Sequence, residues 1–386
     1  MEYNVISADS HLEIPIHRWV HRVPDEHRDR APRGIKLSNG GDAWLVEGRP
    51  LWAVGLELSG RPPEQYQPTG LRYEGAAGAG PPEQRLLEMD RDGVDAEVLF
   101  PGVGGANFWR GIAQDDAYRA VIHAYNEFLV EDYAAIDPNR LIALGLIPET
   151  GLDEALAELR YCAQGGLKGV CLNGWPCGRS YPTVDDDVFW REAMDLGIAV
   201  TVHIQLQYGA TLGGPSYPYP KVAPADIHPK AKDPLRHLAA FDHRGGLNAL
   251  QLVFAGTFDR LPDFRIFFAE TYIGWLPIFF EQVDMLYDRT IHWANEYVGL
   301  PELDRHPSEY LRRHIYWGFV NDPFGVKVRH DVGVDRAMWS TDFPHSVGTW
   351  PDSAAAIESM FDGVTAEETA KMVCGNAVDF FGLRPS

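Results

Sequence analysis

Eight short runs of β-branched, aliphatic and aromatic residues alternate along this chain with stretches of helical periodicity. The runs are YNVISA (3–8), DAEVLF (95–100), LIALGLI (141–147), KGVCLN (168–173), IAVTVHI (198–204), RIFFAE (265–270), HIYWGFV (314–320) and AMWSTDF (337–343). Between them lie amphipathic stretches such as PEQRLLEMDRDGV, LDEALAELRYCA and DDVFWREAMDLG. Strands that alternate with helices imply parallel β/α units. The runs lack polar alternation, as strands buried on both faces do. Eight units predict a closed (β/α)₈ TIM barrel rather than an open sheet. The open doubly wound alternative is weakened because no Gly-x-Gly-x-x-Gly follows an early run.

One barrel domain over 1–386 is therefore expected, with two insertions at the C-terminal face of the strands. The first covers 15–82. Within it IKLSNGGDAWLVEGRPLW reads as a β-hairpin turning at Asn39-Gly40-Gly41, followed by Pro/Gly-rich loop. The second, an active-site loop, covers 205–233. An apolar fraction of 45% with 23% charged residues suits a soluble globular protein. The formal net charge of −21 opposes binding to nucleic acid or to an anionic membrane, because both are polyanions. No apolar stretch is long enough to span a bilayer, and the N-terminus has no basic region leading into an apolar run. Cys162, Cys171, Cys177 and Cys374 form no C-x-x-C pair and read as thiols of a reducing compartment. A cytoplasmic enzyme acting on a small molecule is expected.

A barrel of this kind places its active site at the C-terminal ends of the strands. The first run leads into Asp9 and His11, two apart and so on one side of an extended chain. The fifth ends in His203, the sixth in Glu270 and the eighth in Asp342, while Asn321 and Asp322 follow the seventh. Taken singly, each has an ordinary explanation, such as a core histidine, a helix cap or an ion-pair partner. Together they bring imidazole and carboxylate ligands to one mouth, where a divalent ion can bind. The expected metal set is Asp9, His11, His203, Glu270 and Asp342. The expected ion is Zn²⁺, with Mn²⁺ or Fe²⁺ as alternatives. His345, just beyond Asp342, can reach a substrate. Trp109, Trp175, Tyr208 and Tyr272 near the strand ends could line an aromatic pocket, in competition with ordinary packing. Arg18 could pair with a substrate carboxylate, in competition with plain solvation.

The pieces SADSHLEIP, TVHIQ, RIFFAETYIGWLPIFFEQVD, MWSTDFPHS and KMVCGNAVDFFGL span residues 7–383. In this order and spacing they resemble the amidohydrolase superfamily. Within it they resemble the amidohydrolase-2 group of aminocarboxymuconate-semialdehyde decarboxylase, γ-resorcylate decarboxylase and some carbon–carbon bond hydrolases. The resemblance implies metal ligation by the first-strand motif, His203 and Asp342. The chain departs from many members at two places: Asp9-Ser10-His11 stands where they have His-x-His or Glu-x-His, and Glu270 stands where decarboxylases carry a second histidine.

The leading expectation is a metal-dependent hydrolase. In that scheme a metal-bound water attacks a carbonyl of an aromatic or dienoic molecule at a C–N, C–C or ester bond. Asp342 or Glu270 is the base, and His345 supports the oxyanion. Non-oxidative decarboxylation of an aromatic carboxylate is the alternative, and a non-catalytic binding barrel is a second one. The apolar, aromatic helix in GWLPIFFEQVDMLYDR (274–289) asks for cover and predicts a homodimer or larger homo-oligomer.

Overall fold

A computed structural model describes residues 2–51, 64, 69–102, 108–206, 214–224, 227 and 232–383. Its strands, in chain order, are β1 (Ile6–Leu12), β2 (Arg33–Lys36), β3 (Asp42–Val46), β4 (Arg49–Leu51), β5 (Ala96–Pro101), β6 (Leu141–Ile147), β7 (Gly169–Leu172), β8 (Ala199–His203), β9 (Ile266–Ala269), β10 (Ile315–Phe319) and β11 (Ala337–Trp339). Eight of them form one sheet in the order β1-β5-β6-β7-β8-β9-β10-β11. Every pair in it is parallel. Each of the eight runs read from the sequence overlaps one of these strands, though β1 runs on to Leu12, four residues past the end of the first run. β1 and β6 are buried at all seven of their positions, which is why they carry no polar alternation.

The sheet closes into a barrel through main-chain bonds between β1 and the segment after β11. Asp342 N donates to Asp9 O at 2.9 Å and His11 N to Phe343 O at 2.7 Å. Buried hydroxyls reinforce the seam. Thr341 Oγ1 lies 3.1 Å from both Ser7 Oγ and Ser10 Oγ, and Thr341 N donates to Ser7 Oγ at 2.9 Å. The β1–β5 register shifts between Ser7 and Ser10. Irregularities of this kind re-aim side chains near active sites, and here the shift falls at Asp9.

Helices follow the strands as the periodicity predicts. Pro82–Asp92 begins with proline in its first turn and ends at Gly93, whose φ of 73° only glycine adopts without strain. Leu276–Val298 buries Leu276, Phe279, Phe280, Val283 and Tyr287 within the chain. That stripe is covered from inside the chain, while Ile278 on the same helix stays exposed. Among the described residues no helix is long and apolar enough to cross a membrane.

Within 15–82 the hairpin is present, with Lys36 opposite Asp42. A third strand extends it: β4 pairs antiparallel with β3 across a turn at Glu47 and Gly48, both with positive φ. Of the Pro/Gly-rich loop after the hairpin, 52–63 and 65–68 lie outside the described residues, and of the loop read over 205–233, 207–213, 225–226 and 228–231 do.

Asp322 is a connector and not a metal-site residue. Its carboxylate accepts from Ile273 N (2.7 Å), Gly274 N (2.8 Å) and Gly325 N (2.8 Å), tying the turn after β9 to the turn after β10. Asp322→Ala would strand those donors, at about 1–3 kcal/mol for each buried one. We expect urea unfolding to report a loss of roughly 3 kcal/mol with metal stoichiometry unchanged. A loss within about 0.5 kcal/mol, the range of an ordinary surface substitution, would refute the connector role.

Candidate metal centre

Strand ends deliver the side chains of the candidate centre, and main-chain strain aims several of them. Asp9 and His11 stand on the last half of β1 itself, and His203 is the final residue of β8. Glu270 follows β9 directly, and Asp342 and His345 lie on the turn after β11. Among the described residues the non-glycine positions with positive φ are Glu47, Ile204 (59°), Glu270 (51°), Tyr272 (59°) and Asp342 (54°). Four of the five are at this mouth. For β-branched Ile204 such a φ is a true outlier, and strain concentrated this way marks a site that the surrounding fold over-determines.

The polar atoms converge closely. His11 Nε2 lies 3.1 Å from His203 Nε2, 3.2 Å from Asp342 Oδ1 and 3.4 Å from Asp9 Oδ1. His203 Nε2 lies 3.5 Å from Glu270 Oε2 and 3.8 Å from Asp9 Oδ2. Three overlapping sets could each hold an ion: Asp9, His11 and His203; His11, Asp342 and His345; and Asp9, Glu270 and Asp342. The chemistry fits a cation. His11 Nδ1 is 2.9 Å from the carbonyl oxygen of Pro101, which can only accept, so Nδ1 carries the hydrogen and Nε2 turns its lone pair inward. Both oxygens of Asp9 and both of Asp342 are buried without a donor in hydrogen-bond geometry. Buried carboxylates in that condition need a positive charge.

Proton affinities carry the same strain. Burial, then the charges of Asp342 and Glu270, push Asp9 well above the usual carboxylate range. Burial and Asp342 raise Glu270. Burial, then His11, drives His203 well below the usual imidazole range and so leaves it neutral. Burial opposes charge on Asp342, yet the positive His345 holds it ionised below the ordinary range. Burial likewise opposes charge on His345, but Asp342 and then Glu13 keep it protonated. A bound cation would pull Asp9 and Glu270 to their ionised forms.

Three residues that the sequence reading did not single out complete the site. Glu13 Oε1 lies 3.3 Å from His345 Nε2, while Asp342 Oδ1 lies 3.0 Å from His345 Nδ1. His345 also stacks on His11 with ring centroids 4.0 Å apart. Glu13 continues the alternation of Asp9 and His11, a signal that was available in D-x-H-x-E. Arg244 Nη1 donates to both O and Oε1 of Glu270 at 3.0 Å and lies over Tyr272 at 5.6 Å. Arg85 holds the backbone of the seam from behind.

Other expected lining residues lie elsewhere. Trp109 is buried in an aromatic cluster with Trp19, Trp44 and Tyr125, and Trp175 packs edge-on against Trp190. Both are core residues because large rings fill the space between barrel and helices. Arg18 lines a cavity of about 1030 Å³ beside the β2–β3 sheet, together with Trp44 and Tyr73; no member of the cluster lines it. Tyr272 stays at the mouth. Tyr208 lies outside the described residues.

This geometry sets a class. The amidohydrolase family model matches residues 9–383, and the chain belongs to that family, in its amidohydrolase-2 group. It is a metal-coordinating enzyme with a divalent-metal site. Among curated relatives, it is 24% identical over 314 residues to 2-amino-3-carboxymuconate-6-semialdehyde decarboxylase of Dictyostelium discoideum, covering 79% of this chain and 77% of the relative. Among solved structures it is similar to an amidohydrolase from Mycobacterium avium subsp. paratuberculosis, with a TM-score of 0.74, 18% identity and coverage of 100% and 99%. It is also similar to 5-carboxyvanillate decarboxylase from Novosphingobium aromaticivorans complexed with manganese and 4-hydroxy-3-methoxy-5-nitrobenzoic acid, with a TM-score of 0.63, 18% identity and coverage of 99% and 96%. At these identities the structural likeness establishes the fold.

Removing one of the two facing imidazoles should empty the centre. We expect His203→Ala to keep its far-ultraviolet spectrum but to lose stoichiometric Mn²⁺ in calorimetric titration. Full binding by that variant would remove His203 from the metal site.

Proposed function

We propose that this chain catalyses metal-dependent, non-oxidative decarboxylation of a hydroxylated aromatic or dienoic carboxylate, with the metal held by His11, His203 and Asp342 and supported by Asp9 and Glu270. Mn²⁺ is the proposed ion in place of Zn²⁺, because the structurally similar decarboxylase carries manganese. The observation that carries the reading is the line Asp342–His345–Glu13. A protonated imidazole sits between two carboxylates directly behind the metal set, 3.0 Å from Asp342 Oδ1 and 3.3 Å from Glu13 Oε1. Decarboxylation consumes one proton: the bond to the carboxylate carbon breaks, CO₂ leaves, and the electron pair left on the substrate carbon takes up H⁺.

A divalent ion supplies fixed positive charge that draws a carboxylate and an adjacent oxygen into the mouth. This chain's own residues supply the rest. His345 stores the proton on Nδ1, beside Asp342, the carboxylate that faces the cluster; Glu13 stabilises the imidazolium from the other side. Arg244 offers positive charge to a second anionic group of the substrate, since its remaining guanidinium nitrogens have no hydrogen-bond partner among the described residues.

The hydrolytic alternative needs a carboxylate base for water, either Asp342, proposed above as a ligand, or Glu270. Arg244 takes one oxygen of that carboxylate, and the other faces His203 at 3.5 Å, so both are committed to fixed neighbours. This supports a ligand or positioning role for Glu270 over that of a base.

With Mn²⁺ loaded, a panel of mono- and dihydroxybenzoates and carboxylated dienoates should yield CO₂ stoichiometric with substrate loss. His345→Gln should bind Mn²⁺ yet lose roughly 10²–10⁴-fold in turnover. Products of carbonyl hydrolysis without CO₂, or undiminished turnover by the Gln variant, would overturn this reading.

A further inference from the structure

We infer that Arg85 is a positioning residue for the metal centre, fixing the two main-chain segments that carry His11 and Asp342; this rests on the metal set proposed above. Arg85 lies on the buried face of Pro82–Asp92, outside the barrel mouth, and is 1% exposed. Its guanidinium spends three donors on three separate segments. Nε donates to Glu97 Oε2 on β5 at 2.5 Å, Nη1 to the carbonyl oxygen of His11 on β1 at 2.9 Å, and Nη2 to the carbonyl oxygen of Phe343 at 3.1 Å. Its Cζ also lies 4.4 Å from the centre of the Phe343 ring.

The two carbonyls define the role. One belongs to His11 itself, and the other to the residue immediately after Asp342. The same Phe343 oxygen accepts from His11 N across the barrel seam at 2.7 Å. The fork therefore locks the seam at the point where His11 Nε2 meets Asp342 Oδ1 at 3.2 Å.

A buried ion pair is weak evidence for stability, because apolar replacements of similar volume often serve as well. A planar fork with fixed donor directions is what three-way positioning requires, and lysine cannot reproduce it. Glu97, 2% exposed, makes the pair electrically neutral, so the positive arginine does not repel a cation at the mouth.

Calorimetric titration of the full chain with Mn²⁺ provides the test, wild type first. Failure of the wild-type protein to bind would defeat the metal-set reading itself. Arg85→Lys keeps the charge and loses the fork. We expect it to fold and to bind Mn²⁺ roughly 10–100-fold more weakly, the range seen when supporting partners of metal ligands are removed. Leu159→Ala, on the helix between β6 and β7 and away from the seam, serves as a control with lowered stability. It should bind Mn²⁺ like wild type, so that affinity and stability separate. If Arg85→Lys does not fold, Glu97→Gln carries the test, because it leaves the guanidinium charge uncompensated and its orientation loosened; a loss of about tenfold or more is expected. Wild-type affinity in the folded variant, or equal affinity losses in Arg85→Lys and Leu159→Ala, would overturn the inference.

Discussion

Two buried carboxylates that face two imidazole nitrogens without a hydrogen-bond donor are the constraint on which this structure turns. Both oxygens of Asp9 and of Asp342 are in that state. His345 already compensates Asp342, so ionising Asp9 beside it costs several kcal/mol unless a further positive charge is present. Neutral His203 and the lone pair of His11 add electron density to the same point. A divalent ion resolves all four demands at once. The positive φ angles at Ile204, Glu270 and Asp342 are tolerated because the closed barrel fixes the main chain on either side of them.

The barrel seam and the metal set are one construction. Asp9 and Asp342 are joined by a main-chain bond as well as by the ion they can share, and His11 and Phe343 repeat the arrangement one step along. Closure of the fold therefore brings together the candidate ligands of the first strand and of the turn after the last. The candidate ligands at the ends of β8 and β9 arrive by ordinary parallel pairing, with His203 opposite Ala269 in the register. Gly318 on β10 lets the end of β9 come close: a Cβ there would stand 2.9 Å from Ala269 Cα and 3.0 Å from Glu270 N. That approach is needed because Thr271 N and Tyr272 N both donate to the Gly318 carbonyl, which forms the turn carrying Glu270.

Much of this was legible in the sequence because it is periodic or local. Strand runs buried on both faces announce themselves, and in a barrel their ends must converge, so Asp9, His11, His203, Glu270 and Asp342 could be named before any coordinates. Residues whose role depends on long-range approach were hidden. Arg85 meets His11 and Phe343 from 74 and 258 positions away. Its one local sign is a charged side chain sharing the buried helix face with Met89. Arg244 reaches Glu270 from a loop that carries no motif. Trp109 and Trp175 sit near strand ends in sequence but point into the packing layer, a distinction that proximity along the chain does not carry. The third strand of the small sheet was signalled by Glu47-Gly48 and went unread because the hairpin turn at Asn39-Gly40-Gly41 was the stronger cue. The reaction was legible only as a choice, because hydrolysis and decarboxylation use the same ligand types and differ in where one proton is kept.

Anomalous diffraction at the manganese edge from Mn²⁺-soaked crystals tests the central claim most directly. The account predicts one strong peak per chain, within direct bonding distance of both His11 Nε2 and His203 Nε2, with Asp342 in the same coordination shell. A fully occupied peak elsewhere, or none at the mouth of the barrel, would contradict it.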